Sequence, residues 1–119
     1  MITIEEIVKI VCEVTHTPVD RILSKSRERV YVLPRQIAQT IATIRTGMPL
    51  VKIGEYFGRD HSTIIHSKQS VENWISQRHL PIEASVYIEC LNKVTNYERD
   101  NYNMISASIL LTPHSVPTC

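Results

Sequence analysis

The sequence lacks the features that mark several classes of protein. It has three glycines in 119 residues, no apolar run near the roughly 20 residues of a membrane span, and no C-x-x-C pair. Its cysteines, Cys12, Cys90 and Cys119, are odd in number, and no secretory segment precedes them. We therefore expect reduced thiols in a cytoplasmic protein, and neither a membrane protein nor a disulfide-stabilised one.

A metal-binding pattern is absent as well. His61 and His66 are five residues apart, which places them on different faces of a helix, and no cysteine or second acidic residue accompanies them. We predict no metal and no cofactor.

The sequence also has only a small excess of basic over acidic residues, with a formal net charge of +1. That value is weak for a nucleic-acid-binding protein, whose affinity for phosphates normally depends on a clear excess of lysine and arginine. The basic residues are nevertheless concentrated between positions 21 and 35, where five of them accompany one acidic residue, Glu28, for a local charge of +4. The five are Arg21, Lys25, Arg27, Arg29 and Arg35.

The hydrophobic pattern has the helical period and predicts an all-α fold, a small bundle of five or six helices. Thr3 and Glu6 form a capping box for the first helix, which Pro18 should end. A short helical turn (18–23) and an exposed loop (24–33) should follow. After them come a long helix that begins at Pro34 (34–47), two further helices (50–57 and 61–77) and a last amphipathic helix (81–94). The core residues predicted from this pattern are Ile7, Val11, Ile37, Ile41, Phe57, Ile64, Val71 and Leu91.

The beginning of the predicted long helix is a candidate phosphate site. Arg35 and Gln36 should project from it, beside free N–H groups and the positive end of the helix dipole.

Residues 57–67, FGRDHSTIIHS, have the pattern of the turn and second helix of a helix-turn-helix. A small residue at Gly54 would let the two helices cross closely. Gly58 would take a positive φ at little steric cost and reverse the chain. This motif is a geometry used for reading DNA.

The second helix of this motif opens on short polar side chains, those of Asp60, His61, Ser62 and Thr63. Such residues contact base edges when a recognition helix enters the major groove by its N-terminus. The Asp60 carboxylate has two possible partners, a backbone N–H of Ser62 or Thr63 as an N-cap, or a cytosine amino group. Apolar residues should then face the body of the domain: Ile64, Val71 and Ile75.

Two motifs resemble the C-terminal DNA-binding domain of the bacterial chromosomal replication initiator DnaA. Residues 58–66, GRDHSTIIH, match in order the family's Gly-Gly-Arg-Asp-His-[Ser/Thr]-Thr signature with its following aliphatic pair and histidine. Residues 22–38, ILSKSRERVYVLPRQIA, resemble the family's basic loop and the helix after it. The resemblance covers about residues 1–94 and implies a domain IV-like, Trp repressor-like helix-turn-helix that binds double-stranded DNA at specific sequences.

The resemblance also implies which side chains contact DNA. The implied base contacts are Arg27, in the minor groove, with Val51, Asp60, His61 and Ser62. The implied phosphate contacts are Lys25, Arg29, Arg35, Gln36, Thr63 and His66. From the residues of the loop alone, solvated loop charges are the favoured interpretation of Arg27 and Arg29, and the matching signature reverses that preference. His66 could satisfy a backbone carbonyl at the edge of the core.

Three departures from the family pattern bear on specificity. The turn has one glycine, Gly58, where the family has two; Val51 replaces a proline that touches a thymine methyl; and Thr43 replaces a lysine that binds phosphate. We expect DNA binding to be retained while the preferred box drifts.

The initiator's ATPase needs a phosphate-binding loop that ends in Gly-Lys-[Ser/Thr], and this sequence has none. We therefore expect a regulator of replication or transcription, or a competitor for DNA sites, and the Met1 start and unmatched tail favour a free-standing protein over a fragment. The alternative function is a protein-interaction module that keeps the fold but binds DNA weakly or not at all. An enzyme is not expected, since Asp60, His61 and Ser62 are adjacent at a helix start and cannot form a buried relay.

Residues 95–119 are an extension that should be partly helical and then flexible. Its apolar residues either extend the core, which we favour, or contact a protein partner or a second copy of the chain. They are Ile105, Ile109, Leu110 and Leu111.

Overall fold

The computed structural model describes residues 1–110, with side chains as far as Met104. It has six helices over that range and no strand: α1 (Ile4–Thr15), α2 (Val19–Ile22), α3 (Arg29–Arg45), α4 (Leu50–Phe57), α5 (His61–Ser76) and α6 (Ile82–Leu110). The predicted all-α class is confirmed.

Helix α1 begins and ends as its sequence predicts. The Glu6 N–H donates to Thr3 Oγ1 at 3.2 Å, and the Thr3 N–H donates to Glu6 Oε1 at 2.9 Å, which completes the capping box. His16 closes the helix in the left-handed conformation, with φ of 54°. Pro18 is the N-cap of α2. Proline disfavours helical geometry in the residue before it, and that residue, Thr17, lies between the two helices.

Helix α3 begins at Arg29, five residues before the predicted start, and Pro34 lies inside it. Because proline has no N–H, the carbonyl of Val30 loses its helical partner. The Val30 side chain is 61% exposed, so this carbonyl lies on a turn where water can replace the lost donor. Arg35 and Gln36 are therefore in the second turn of α3, and the predicted phosphate site among free N–H groups at that position is wrong.

The helix-turn-helix consists of α4, a three-residue turn and α5, as predicted. Gly58 ends α4 with φ of 64°, in the left-handed region that favours glycine. A Cβ on Gly54 would lie 2.6 Å from the carbonyl oxygen of Arg59, so the turn passes directly over this glycine. Any side chain at Gly54 would push the turn outward.

The core lies around α3, which packs chiefly against α5 and α1. Seven of the eight predicted core residues are buried, and Leu91 is half-buried. Ile75, which was predicted to face the body of the domain, is 44% exposed, and Ile44 of α3 and Ile88 of α6 are exposed as well. On α5 the buried residues are Ile64, Ser67, Val71 and Trp74, so Trp74 takes the inward position that was predicted for Ile75.

Helix α6 continues without interruption past Val94, where the predicted last helix ends. Val94 is also the last buried hydrophobic residue among the side chains described, which extend to Met104. The helical part of the 95–119 extension therefore belongs to α6 as far as Leu110. The predictions for the side chains of Ile105, Ile109, Leu110 and Leu111, and for residues 112–119, lie outside the described residues. No helix among those described is long and apolar enough to cross a membrane.

Candidate nucleic-acid interface

The first turn of α5 presents its polar side chains to solvent. Asp60, His61 and Ser62 are exposed and Thr63 is half-buried. Ser62 Oγ donates to Asp60 Oδ2 at 2.7 Å, and Asp60 Oδ1 lies 3.1 Å from His61 Nδ1. The three predicted base-contacting residues of this turn thus form one exposed, mutually bonded cluster.

The Asp60 carboxylate does not cap α5. Asp60 occupies the N-cap position, but its side chain accepts no hydrogen bond from the backbone N–H of Ser62 or Thr63, and the Thr63 N–H instead reaches the Asp60 carbonyl at 3.0 Å. The hydrogen bond from the Ser62 hydroxyl lowers the pKa of Asp60, so this exposed group is a carboxylate at neutral pH. Of the two partners proposed for this carboxylate, the backbone cap is therefore not formed, and the charge remains available to an outside donor.

His66 lies one turn further along α5 and is exposed. It makes no hydrogen bond with another described residue, so the alternative in which it satisfies a carbonyl at the core edge finds no support. On the buried side of the same helix, Ser67 donates to Gln39 of α3. This contact orients α5 so that His66 faces away from the core.

Residues 23–28, which we call the basic loop, connect α2 to α3 and lie against the helix-turn-helix turn. Lys25 Nζ donates to the carbonyl of Gly58 at 2.6 Å, across 33 residues of sequence. Arg27 is exposed and makes no hydrogen bond or ion pair within the described part of the chain. Just after the loop, the Arg29 guanidinium lies 6.0 Å from the centre of the Trp74 ring on α5.

A phosphate-binding arginine projects toward solvent, and Arg35 does not. It is 6% exposed, and its guanidinium donates to three carbonyls, from Nε to Ile22 at 2.7 Å, from Nη1 to Ser26 at 3.0 Å and from Nη2 to Arg21 at 3.2 Å. Burial lowers the pKa of Arg35, and the nearby Arg59 adds to that effect. The structure corrects the predicted phosphate contact, because the donors a phosphate would need are used to hold the chain around the basic loop.

Arg59 was not among the predicted site residues. Its Nη1 donates to the carbonyl of Phe57 at 3.1 Å and its Nη2 to the carbonyl of Ser24 at 2.9 Å. The sequence signal was its position inside the 58–66 motif, directly before Asp60.

Comparison with known proteins identifies this arrangement. Residues 4–71, more than half of the chain, match the family model for the bacterial DnaA protein helix-turn-helix. The chain belongs to the DnaA helix-turn-helix family. The matched residues include the basic loop, the turn and α5 as far as Val71.

Chromosomal replication initiator proteins named DnaA are similar to this chain over the same domain. The protein of Thermoanaerobacter sp. (strain X514) is 38% identical over 79 residues, which cover 66% of this chain and 18% of that protein. The Zymomonas mobilis protein is 40% identical over 72 residues, which cover 60% of this chain and 15% of that protein. DnaA 1 of Chlamydia trachomatis serovar D is 36% identical over 74 residues, which cover 62% of this chain and 16% of that protein. The chain spans less than a fifth of the length of these relatives, and the match does not extend to their ATPase region.

The remaining predicted positions of this DnaA-type domain lie on α3 and α4. Val51 is 55% exposed in the first turn of α4, where an apolar contact with a base is sterically open. Gln36 is half-buried, and its Oε1 is enclosed with no hydrogen-bond partner among the described residues. Thr43, at the position of the family's lysine, is half-buried and donates to the carbonyl of Thr40 at 2.6 Å.

Proposed function

We propose that this chain binds double-stranded DNA at specific sequences, with the N-terminus of α5 in the major groove and Arg27 of the basic loop in the adjacent minor groove. One observation carries the proposal. The exposed cluster at Asp60, His61 and Ser62 follows directly on a turn to which the basic loop is hydrogen-bonded. Side chains of two different chemistries, one suited to base edges and one to a narrow negative groove, therefore lie on neighbouring segments.

The contacts in this proposal follow the family resemblance, with one change. Base contacts are assigned to Arg27, Val51, Asp60, His61 and Ser62, and phosphate contacts to Lys25, Arg29, Gln36, Thr63 and His66. Arg35 is removed from the phosphate set because its guanidinium holds three carbonyls.

We also propose that the protein acts as a regulator of replication, or as a competitor at sites that full-length initiators use. The 119 residues contain no Gly-Lys-[Ser/Thr] sequence, so occupancy of DNA is not coupled to ATP hydrolysis within this chain. Competition for a duplex against a full-length DnaA protein, followed by electrophoresis, tests this role. Displacement of the initiator at concentrations near the dissociation constant is the expected result.

A titration of duplex DNA at several salt concentrations tests the binding itself. The duplex is selected by the protein from a pool of random sequences, and fluorescence anisotropy gives its dissociation constant beside that of an unrelated duplex. If three to five phosphates are neutralised, the log–log slope against salt should be about −3 to −4.5. Absence of binding at low salt, or an affinity that does not change with salt concentration, would favour the protein-interaction module.

A further inference from the structure

The basic loop is held in place almost entirely by polar contacts. Between Leu23, which packs on the core, and α3, its residues are exposed or half-buried. Three side-chain contacts tie it to the helix-turn-helix turn and to α3: the Ser24 carbonyl accepts from Arg59, the Lys25 ammonium donates to the Gly58 carbonyl, and the Ser26 carbonyl accepts from Arg35. Beyond Leu23 the loop has no apolar anchor, and without these polar contacts residues 24–28 would sample many conformations.

Arg59 is the residue whose guanidinium donates both to the basic loop and to the end of α4. One terminal nitrogen holds the carbonyl of Phe57, the last residue of α4, and the other holds the carbonyl of Ser24, 35 residues away in the sequence. The two nitrogens belong to one rigid planar group. Arg59 therefore joins the loop to the end of α4 through one side chain, beside the contact of Lys25 with the Gly58 carbonyl.

We infer that Arg59 is a positioning residue that fixes Arg27 relative to the base-contacting cluster of α5, and that it does so without touching DNA itself. This inference rests on the proposed function, since it assigns a role within that same interface. Without Arg59, Arg27 would still carry its charge but would not be aimed at one groove position. Minor-groove discrimination would be lost while the major-groove preference of α5 remained.

The chemistry of arginine is what this position requires. A guanidinium presents parallel donors in a fixed fork, whereas a lysine ammonium is a single point that can reach one of the two carbonyls well. Arg59→Lys should therefore retain more loop order than Arg59→Ala, in which the Lys25 and Arg35 contacts alone tie the loop to the turn and to α3. Arg45→Ala is a matched control, because Arg45 also bonds across the domain, to Thr95 and Glu98, but far along the chain from the loop.

The first experiment measures loop order in the full chain without DNA. The N–H of Ser26 donates to Ser24 Oγ and the N–H of Glu28 to Ser26 Oγ, so both amides report on the loop. We expect their hydrogen exchange to accelerate at least about tenfold in Arg59→Ala, less in Arg59→Lys, and not at all in Arg45→Ala. Unchanged exchange in both Arg59 variants would overturn the inference whatever the protein does with DNA.

The second experiment separates the two grooves. Replacing adenine by 2,6-diaminopurine in the selected duplex adds an amino group to the minor groove and leaves the major-groove hydrogen-bonding pattern unchanged. Wild-type protein should lose affinity for the modified duplex, by roughly tenfold at the position under Arg27. Arg27→Ala should bind the modified and unmodified duplexes with equal affinity. Arg59→Ala should do the same, although its Arg27 is intact.

The controls distinguish positioning from direct binding. Adding His61→Ala to either Arg59 variant should still lower specificity, which shows that α5 reads bases normally. If Arg59→Ala keeps the full diaminopurine penalty, or weakens all duplexes equally and lowers the salt slope by one, Arg59 is not a positioning residue. If wild-type protein binds no duplex, the proposed function fails, and hydrogen exchange alone then decides whether Arg59 orders the loop.

Discussion

The basic side chains near the interface divide by what their donors contact. Arg35, Arg59 and Lys25 donate to backbone carbonyls, while Arg27 keeps all its donors for an outside partner. The local charge of +4 over residues 21–35 therefore overstates the charge that is free to bind phosphate by one, that of Arg35, because Lys25 has three N–H donors and Gly58 takes one of them. The proposed site-specific binding does not require a large net charge, because base contacts and not phosphate contacts determine sequence preference.

Replacing Arg35 tests the structural role that the structure gives it. Hydrogen bonds from a charged group contribute about 1.5–3 kcal/mol each and are not additive, so Arg35→Ala should lower the free energy of unfolding by about 2–4 kcal/mol. Urea denaturation followed by circular dichroism measures this change. Arg27→Ala is the control and should stay within about 0.5 kcal/mol, since its side chain is exposed. A stable Arg35→Ala protein whose salt slope falls by one would restore the phosphate role.

Asp60 tests base recognition separately from helix stability. Its carboxylate makes no backbone cap, so neither Asp60→Ala nor Asp60→Asn should change the melting temperature appreciably. On the selected duplex, Asp60→Ala should weaken binding by roughly 5- to 100-fold, with a much smaller effect on unrelated duplex. Asp60→Asn presents a donor as well as an acceptor and should change the preferred base. Competition titrations that give the same specific-to-nonspecific ratio for all three proteins would exclude Asp60 from base contact.

The turn of the helix-turn-helix depends on two glycines for different reasons. Gly58 needs its positive φ, whereas Gly54 needs the space beneath the Arg59 carbonyl. Because backbone cannot yield as a flexible side chain can, Gly54→Ala should destabilise the protein by about 1–3 kcal/mol and should also weaken specific DNA binding by displacing Arg59 and Asp60.

Gly47→Ala is the matched control for that substitution. Gly47 also has a positive φ, of 69°, but a Cβ there would meet nothing within 4 Å, and the position lies before α4. Its replacement should cost about 1 kcal/mol of stability with little change in DNA affinity. Thermal denaturation measures the stability of Gly54→Ala and Gly47→Ala, and fluorescence anisotropy on the same preparations measures their DNA affinity. Equal effects of Gly54→Ala and Gly47→Ala on DNA binding would show that the turn geometry is not what matters.

Elements with local signals were predictable from the sequence, and those that depend on distant contacts were not. The capping box at Thr3 and the glycine at Gly58 act within a few residues, so the ends of α1 and α4 followed from them. The start of α3 did not, because the rule that places proline in a first turn was overridden by tertiary packing around Pro34. Likewise, nothing near Arg35 indicates that the backbone 9 to 14 residues before it folds back onto its guanidinium.

The pH dependence of global stability should reflect the acids that the core keeps neutral. Burial raises the pKa of Cys90 to about 12, and burial also raises the pKa of Cys12, Tyr56 and Tyr87. The unfolded chain releases these protons at lower pH than the folded chain does. Stability should therefore be complete below the unfolded cysteine pKa of about 8.5 and should decline as the pH rises from there toward 12.

Cys90→Ala isolates one part of this decline. A single such group contributes a slope of up to about 1.4 kcal/mol per pH unit between its two pKa values, so the variant should show a shallower loss between pH 9 and 10.5. Urea titrations in the presence of a reductant, at pH 7.5, 9 and 10.5, measure the slopes. Identical slopes for the two proteins would mean that the Cys90 thiol ionises as freely in the folded state as in the unfolded chain.

The polar contacts that hold the basic loop also affect how fast the protein finds its site. A loop that becomes ordered only on DNA would add a slow conformational step after encounter, whereas this loop takes its conformation when the domain folds. Association should therefore follow a single exponential in stopped-flow experiments, with a rate that rises linearly with DNA concentration and depends on salt through electrostatic attraction. Differences in affinity among related sequences should then arise mainly from how long each complex lasts.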